Sequence, residues 1–204
     1  TDVGKTFVSG CIATHLVQAG ITVSPRKPIA SGCIRQTDGS LLPEDALFLQ
    51  QSSQSHDTLG TICPYQFEPA VSPQTAIKDA GLNITLHHLV QACLTPADSF
   101  ALVEGAGGFY SPLALDGLNK DLATALQLPV IVVVANQLGC INQTLLTLAA
   151  IKQAGLVVHS IILNNVNNDP TNHAKGLTDF TDTAIFSSPY SETKQATLIE
   201  GWRI

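Results

Sequence analysis

The chain opens on Thr1-Asp2-Val3-Gly4-Lys5-Thr6, the second half of the phosphate-loop pattern G-x-x-x-x-G-K-(S/T). In that pattern the glycine lets backbone N–H groups turn onto phosphate oxygens, the lysine reaches the β and γ phosphates, and the hydroxyl binds Mg²⁺. The following run, Phe7 to Ala19, is rich in apolar residues and predicts a helix whose N-terminus faces the anion. An isolated G-K-T also fits an ordinary helix start, so the rest of the chain must decide between the two.

A phosphate loop is held by the strand before it, and the first glycine of the pattern is not among residues 1–204. The sequence also contains no Met, although a chain of this size normally carries several. We therefore expect that this strand and the first half of the loop are missing from it. Residues 1–204 are expected to form one domain, with a core large enough to need no disulfide or structural metal.

Composition argues against several function classes. The net charge is −6 and the sequence has no Lys/Arg cluster, which argues against a nucleic-acid surface. No apolar run approaches the roughly 20 residues that cross a bilayer. No signal-peptide pattern is found either, so the cytoplasm is the predicted location. Five widely spaced cysteines without a C-x-x-C motif predict buried, inert thiols instead of a metal site.

Short apolar runs alternate with helical patterns along the chain. The predicted strands, which are rich in β-branched residues, are 21–23, 100–103, 130–134 and 159–163. The predicted helices are 7–19, 44–51, 82–94, 119–126 and 142–154, and the remainder of 37–73 is predicted to be loop. Repeated strand, helix, strand order predicts an α/β single-domain P-loop fold, with a mainly parallel sheet and helices on both faces.

Polar groups follow several of the predicted strands. Glu104 and the small residues 105–108 come directly after one strand, Lys27 and Ser31 come shortly after another, and Asn164-Asn165 follow a third. Each group alone is typical of solvated surface or of a turn. Parallel sheets, however, place their ligands at the carboxyl ends of the strands. Together with G-K-T, these groups therefore predict one nucleotide site with a Mg²⁺ ligand at Glu104.

At this point the chain resembles the dethiobiotin synthetase family through several motifs in order. They are T-D-V-G-K-T, K-P-I-A-S-G, P-E-D-A-L, P-Y-x-F with V-S-P, V-E-G-A-G-G-F, L-P-V-I-V-V-V and L-G-C-I-N, and the match covers residue 1 to about residue 166. The resemblance implies an ATP-dependent cyclo-ligase of biotin biosynthesis. Its substrates would be 7,8-diaminopelargonic acid, CO₂ and MgATP, and its products dethiobiotin, ADP and phosphate. An amine carbamate would attack the γ-phosphate, which demands alignment and charge neutralisation above all.

The resemblance also implies roles for individual residues. The implied catalytic residues are Lys5, on the phosphates, and Lys27, on the carbamate and the transferring phosphoryl group. The implied ATP-binding residues are Thr1, Asp2, Val3, Gly4, Lys5, Thr6, Phe7, Asp45, Glu104, Gly105, Ala106, Gly107, Asn164, Asn165, Pro189 and Tyr190. The implied substrate-binding residues are Thr1, Ser31, Gly107, Leu138, Gly139 and Asn142. The implied Mg²⁺ ligands are Thr6, Asp45 and Glu104.

The implied assembly is a homodimer in which Leu138 to Asn142 of the partner subunit receive the substrate carboxylate. Three departures from the family pattern bear on this site. Gln143 stands where the family usually has His, and Gln137 stands where a Lys can occur. The resemblance implies that Pro189 and Tyr190 lie over the adenine. The preceding residues, Ile185 to Ser188, lack the acidic, glycine-containing form of the family. These departures bear on substrate-carboxylate affinity and on nucleotide preference.

Three alternatives compete with this interpretation, and the first of them does not fit the length of the chain. An amidating synthetase of corrin biosynthesis would carry a glutaminase domain with a nucleophilic Cys, for which 204 residues leave no room. A nucleotide-switch ATPase of the partitioning type would carry an additional lysine at the start of the phosphate loop and usually a basic or amphipathic surface. An inactive family member would fit Gln143 and the poorly matching tail after Val166.

Overall fold

The computed structural model describes residues 2–169, 171–192, 196, 199, 201 and 202. In chain order the helices of these ranges are α1 (Lys5–Gln18), α2 (Glu44–Ser52), α3 (Leu59–Ile62), α4 (Pro73–Asp79), α5 (Leu86–Ala92), α6 (Asn119–Leu126) and α7 (Cys140–Gln153), with a 3₁₀ turn at Leu177–Asp179. The strands are β1 (Val23–Arg26), β2 (Ile29–Ser31), β3 (Ile34–Arg35), β4 (Leu41–Leu42), β5 (Tyr65–Phe67), β6 (Phe100–Val103), β7 (Pro112–Ala114), β8 (Gly117–Leu118), β9 (Val130–Ala135), β10 (Val158–Asn164) and β11 (Ile185–Ser188).

The longer strands pair in parallel. β1 pairs with β6, and β10 lies between β9 and β11. Parallel strands that follow one another in the chain need a crossover, and α7 supplies it between β9 and β10. The prediction of an α/β fold with a mainly parallel sheet is confirmed.

Helices cover both faces of the sheet formed by β9, β10 and β11. Along β10, Ile162 packs with α1 and the buried Trp202, whereas its neighbours Ile161 and Leu163 pack with α7. Successive side chains of a strand point to opposite faces, so α1 and α7 lie on opposite sides. This arrangement explains why residues 161–163 are all apolar instead of alternating with polar residues.

An apolar groove of about 740 Å³ lies between β6 and β9. Within the described ranges β6 pairs with β1 alone and β9 pairs with β10 alone, so the facing edge of each strand is unpaired. Val8 and Ile12 of α1 and Leu122 of α6 contribute to the walls of the groove. Within the described ranges the groove therefore runs between two unpaired strand edges.

Several element boundaries differ from those predicted from the sequence. The strand predicted at 21–23 runs from Val23 to Arg26, and the helix predicted at 82–94 is limited to Leu86–Ala92. The region 37–73, expected to be loop around one helix, also contains β4, α3 and β5. These elements are two to four residues long, too short to show a periodicity. Among the described residues no helix combines the length and the apolarity that a membrane span requires.

Candidate active site

The carboxyl ends of β1, β2, β6 and β10 surround a cavity of about 1180 Å³. Fourteen of the residues implied from the sequence line it: Asp2, Gly4, Lys5, Thr6, Phe7, Lys27, Ser31, Asp45, Glu104, Ala106, Gly107, Asn164, Asn165 and Tyr190. They come from segments far apart in the chain, and the carboxyl ends of the parallel strands bring them together. The cavity is therefore the candidate active site.

Lys27 lies at the centre of the polar cluster. Its side chain is buried, and its Nζ lies 2.6 Å from Asp45 Oδ2 and 2.6 Å from Glu104 Oε1. The hydroxyl of Thr6 donates to the same Glu104 oxygen at 2.7 Å. Both contacts of the ammonium are charge-assisted hydrogen bonds, the stronger kind in proteins. The cluster joins the ends of β1 and β6 to the starts of α1 and α2.

Burial and the nearby carboxylates shift the pKa values of the two lysines in opposite directions. Burial lowers the pKa of Lys27, but the attraction of Glu104 and Asp45 outweighs it, so the pKa of Lys27 is raised. For Lys5 burial dominates, and its pKa is lowered despite the attraction of Glu104. Burial raises the pKa of Asp45, but the nearby Lys27 ammonium outweighs it and the net pKa is lowered. Lys27 and Asp45 are therefore held in their charged forms.

The oxygen atoms of this cluster suit a hard cation. Glu104 Oε2 is buried and has no hydrogen-bond partner among the described residues, and Thr6 and Asp45 add a hydroxyl and a second carboxylate. Within the described part of the chain no three His, Cys, Asp or Glu side chains form a metal site. Mg²⁺ is usually held by one or two carboxylates, with phosphate and water completing its shell. Two carboxylates and a hydroxyl meet that requirement.

Gly4 gives the phosphate loop its shape. Its φ is 82°, in the left-handed region, and it immediately precedes α1, which has no side-chain cap. A Cβ at Gly4 would lie 2.1 Å from Asn164 Nδ2. That amide donates to the carbonyl of Val3 at 3.0 Å, so the end of β10 is packed directly against the loop. The first turn of α1 is thereby left open toward the cavity, where an anion would meet its free N–H groups.

A second loop, residues 104–108, lines the cavity beside the first. The side chain of Asn119 binds this loop through the backbone N–H and carbonyl of Ala106 and the carbonyl of Gly108. The amide N–H of Gly108 donates to Ser111 Oγ at 2.8 Å. The loop is therefore held by side chains, although most of its own residues carry no side-chain polar group.

Some implied residues lie elsewhere. Val3 and Gly105 line the apolar groove between β6 and β9, and Pro189 does not line the cavity. Leu138, Gly139 and Asn142 are exposed and do not line the cavity either. Thr1 lies outside the described residues.

Other residues of the site were not predicted from the sequence. Ala70 to Pro73 form one wall of the cavity, and the carbonyl of Val71 accepts a hydrogen bond from Ser31 Oγ at 2.6 Å. Ser111 also lines the cavity. The V-S-P motif, part of the resemblance, was the signal that could have indicated this wall. Asn119 carried no signal beyond its place at a predicted helix start, where a polar residue is usual.

The cysteines agree with their prediction. All five are buried. Burial raises the pKa of Cys63 and of Cys93 to about 12, so both thiols stay protonated and weakly reactive.

Comparison with known proteins gives one family and several relatives. The model of a family described as AAA domain matches residues 1–195. The chain is 38% identical to the ATP-dependent dethiobiotin synthetase BioD of Ruthia magnifica, over 91% of this chain and 85% of that protein. It is 37% identical to the protein of the same name from Vesicomyosocius okutanii, over 91% of this chain and 84% of that protein. The protein of the same name from Marinobacter nauticus is 42% identical, over 81% of this chain and 71% of that protein.

Gly4→Ala should impair nucleotide binding. Its Cβ would strain a left-handed backbone and collide with Asn164 Nδ2, so we expect the Kd for an ATP analogue to rise about tenfold or more. Gly20→Ala is the matched control, because Gly20 has a φ of 80° but nothing lies within 4 Å of its Cβ position. Calorimetry should show intact nucleotide binding for the control. Equal affinity in both variants would contradict the assignment of Gly4 to the phosphate loop.

Proposed function

The chain belongs to the AAA domain family and to the ATP-dependent dethiobiotin synthetases, and we propose that the cavity around Lys27 is where it makes dethiobiotin. The substrates are 7,8-diaminopelargonic acid, CO₂ and ATP, and the products are dethiobiotin, ADP and phosphate. One observation carries the placement: a buried ammonium held between two carboxylates lies directly beside the phosphate loop. The relatives give no support to a partitioning ATPase.

The chemistry makes two demands on the site. One substrate amine loses a proton and bonds to CO₂, and the resulting carbamate oxygen attacks the γ-phosphorus as the bond to ADP breaks. The second amine then attacks the carbonyl carbon of the carbamic-phosphoric anhydride, so that the ring closes and phosphate leaves. Neither step needs a strong protein nucleophile. Fixed positive charge and alignment supply the catalysis.

The two lysines divide the positive charge. Lys5, at the start of α1, lies beside the bound phosphates throughout. Lys27 Nζ, held by Glu104 and Asp45 at 2.6 Å in the described structure, neutralises the carbamate and the transferring phosphoryl group. An ammonium fixed before the substrate arrives needs no reorganisation during the reaction, which is why a preorganised charge is effective.

Thr6, Asp45 and Glu104 would hold Mg²⁺ with the nucleotide phosphates. The buried, unpartnered Glu104 Oε2 supports this assignment, since a cation would satisfy it. Bound there, Mg²⁺ would neutralise phosphate charge.

The base and the diamine would be bound by groups already oriented toward the cavity. Asn164 Oδ1 is buried without a hydrogen-bond partner among the described residues, which suits an acceptor for the adenine amino group. Asn165 Oδ1 accepts a hydrogen bond from Asn136 Nδ2 at 2.8 Å, and Tyr190 lines the cavity. Ser31, which already donates to Val71, retains lone pairs that can accept an N–H of the substrate.

We propose that the substrate carboxylate is bound across a homodimer. Leu138 is 90% exposed and Leu146 is 64% exposed, and Asn142 lies one turn before Leu146 on the same face of α7. Large exposed apolar side chains in one place are typical of a protein interface. Asn142 belongs to the first turn of a 14-residue helix, where a carboxylate is favoured. Gln137 and Gln143 would then contribute amides where the family pattern has cations.

Residues 1–204 are proposed to act as one domain, with a strand before the phosphate loop filling the groove between β6 and β9. The unpaired facing edges of these strands and the apolar walls of the groove support this. Such a strand would anchor the loop on the side opposite Asn164. The cytoplasmic location stays a prediction.

Product analysis tests the function and the division between the lysines. The wild-type chain with diaminopelargonate, bicarbonate and MgATP should yield dethiobiotin by mass spectrometry. Lys27→Ala should lower kcat by on the order of 10² or more with nucleotide affinity largely kept, whereas Lys5→Ala should weaken both. Lys175→Ala, at an exposed site outside the cavity lining, is the control.

Removing Lys27 leaves the buried carboxylate of Glu104 without its ion-pair partner, which destabilises the fold. The thermal unfolding of each variant is therefore measured as well. Lys27→Gln keeps hydrogen-bond donors without the charge and should show the same kcat loss in a folded protein. Equal losses of nucleotide affinity in the Lys5 and Lys27 variants would refute this division of roles.

The metal assignment predicts a changed Mg²⁺ requirement. Asp45→Asn and Glu104→Gln each remove one negative charge from the same ion, so half-maximal activity should need more Mg²⁺ in either variant. Asp98→Asn, an exposed carboxylate outside the cavity lining, should leave the Mg²⁺ titration unchanged. Unchanged titrations in the first two variants would assign both carboxylates to structure alone.

The shared-site assembly predicts complementation between two inactive chains. Lys27→Ala disables the site of its own subunit, and Asn142→Asp places a carboxylate against the carboxylate of the substrate bound in the neighbouring subunit. A mixed dimer would hold one doubly defective and one intact site, so activity should return to about half the wild-type value per mixed dimer. No recovery after verified subunit exchange would disprove the shared site.

A further inference from the structure

Asn119, the first residue of α6, does not line the cavity but binds the loop that does. We propose that Asn119 is a positioning residue: its side-chain amide fixes the 104–108 loop and thereby the placement of Glu104, Ala106 and Gly107. The inference rests on the proposed function, because the loop it supports is assigned there to the phosphates and to Mg²⁺.

Both the oxygen and the nitrogen of the Asn119 side-chain amide form hydrogen bonds with the loop backbone. Its Oδ1 accepts from the Ala106 N–H at 3.1 Å, and its Nδ2 donates to the Ala106 carbonyl at 2.6 Å and to the Gly108 carbonyl at 3.0 Å. The orientation of the amide follows from its partners, because an N–H requires the oxygen and carbonyls require the NH₂ group. The side chain therefore supplies the hydrogen bonds that a neighbouring strand would supply to a strand of a sheet.

The backbone around Asn119 strengthens this attachment. The N–H of Asn119 donates to the carbonyl of Ser111 at 3.1 Å, and the N–H of Lys120 donates to the carbonyl of Phe109 at 2.8 Å. Asp121 Oδ2 accepts from the N–H of Leu118 at 2.9 Å, which secures the start of the helix. The N-cap position of α6 is Leu118, so the side chain of Asn119 is not the cap of its own helix and is available to the loop.

Gly105 shows that the fit is tight. A Cβ built on Gly105 would lie 2.3 Å from Asn119 Oδ1 and 3.2 Å from its Cγ, with only the Asn119 Cβ remaining at 4.0 Å. Gly105 is not among the glycines with positive φ, so its backbone would accept an alanine. The side chain of Asn119 is therefore the reason a glycine is required immediately after Glu104.

A double-mutant cycle tests the inference. Asn119→Ala and Gly105→Ala should each lower kcat by about tenfold to a hundredfold, because a misplacement on the order of 1 Å has that effect, with smaller changes in KM. In the double variant the collision is gone, so kcat should be no lower than in the worse single variant. Multiplied losses in the double variant would overturn the proposal, as would an unchanged kcat in Asn119→Ala.

Asn119→Asp separates positioning from stability. It keeps the size of the side chain and the acceptor for the Ala106 N–H, and a carboxylate at a helix N-terminus is favourable. Its second oxygen, however, faces the carbonyls of Ala106 and Gly108 in place of a donor. We expect kcat to fall, although thermal unfolding should show that the variant is still folded at the assay temperature. Wild-type kcat in this variant would show that the donor contacts do not position the loop.

Amide hydrogen exchange tests the role of Asn119 without an enzymatic assay. The Ala106 amide should exchange faster in Asn119→Ala than in the wild type or in the control Asn83→Ala, whose side chain is exposed. Unchanged exchange at Ala106 would overturn the inference. If the wild type makes no dethiobiotin, the proposed function fails, and the exchange result still decides the role of Asn119. If Asn119→Ala does not fold, Gly105→Ala and Asn119→Asp provide the same test.

Discussion

A buried ammonium between two carboxylates is the interaction on which the site depends. Lys27 and Glu104 are 3% and 4% exposed, and an unpaired charge at such a depth costs several kcal/mol. The strand register satisfies both charges at once. Arg26 of β1 pairs with Val103 of β6, so the residues that follow them leave the sheet side by side. The same contact attaches α2 through Asp45 and α1 through Thr6.

The parallel sheet turns this local contact into a binding site. Because the strands all end at one edge, loops from distant parts of the chain meet there, and their backbone groups must find partners outside the sheet. Asn164 supplies a partner for the phosphate loop, and Asn119 supplies partners for the 104–108 loop. Two buried oxygens of residues that line the cavity, Glu104 Oε2 and Asn164 Oδ1, keep no partner among the described residues. Buried acceptors of this kind are what a bound nucleotide and cation would satisfy.

Prediction from the sequence succeeded where the signal is local or periodic. The strands at 100–103 and 130–134 and the helix at 119–126 lie within one residue of their positions in the structure, because continuous apolar runs and helical spacing define them. β11 carries no such signal: Ile185 to Ser188 form a strand because β10 offers them an edge in parallel register. The short strands β4 and β5 likewise owe their form to tertiary pairing.

The sequence by itself determined the nucleotide loop, the α/β class and the family, since each depends on residue types at short, fixed spacings. It also named half of the residues that line the cavity. Only the tertiary structure decided which groups touch: that Lys27 lies between Asp45 and Glu104, that Asn164 holds the loop through Val3, and that Asn119 binds across to Ala106. Such contacts join residues up to 161 positions apart. Strand register and side-chain packing set them, and no local pattern in the chain records either.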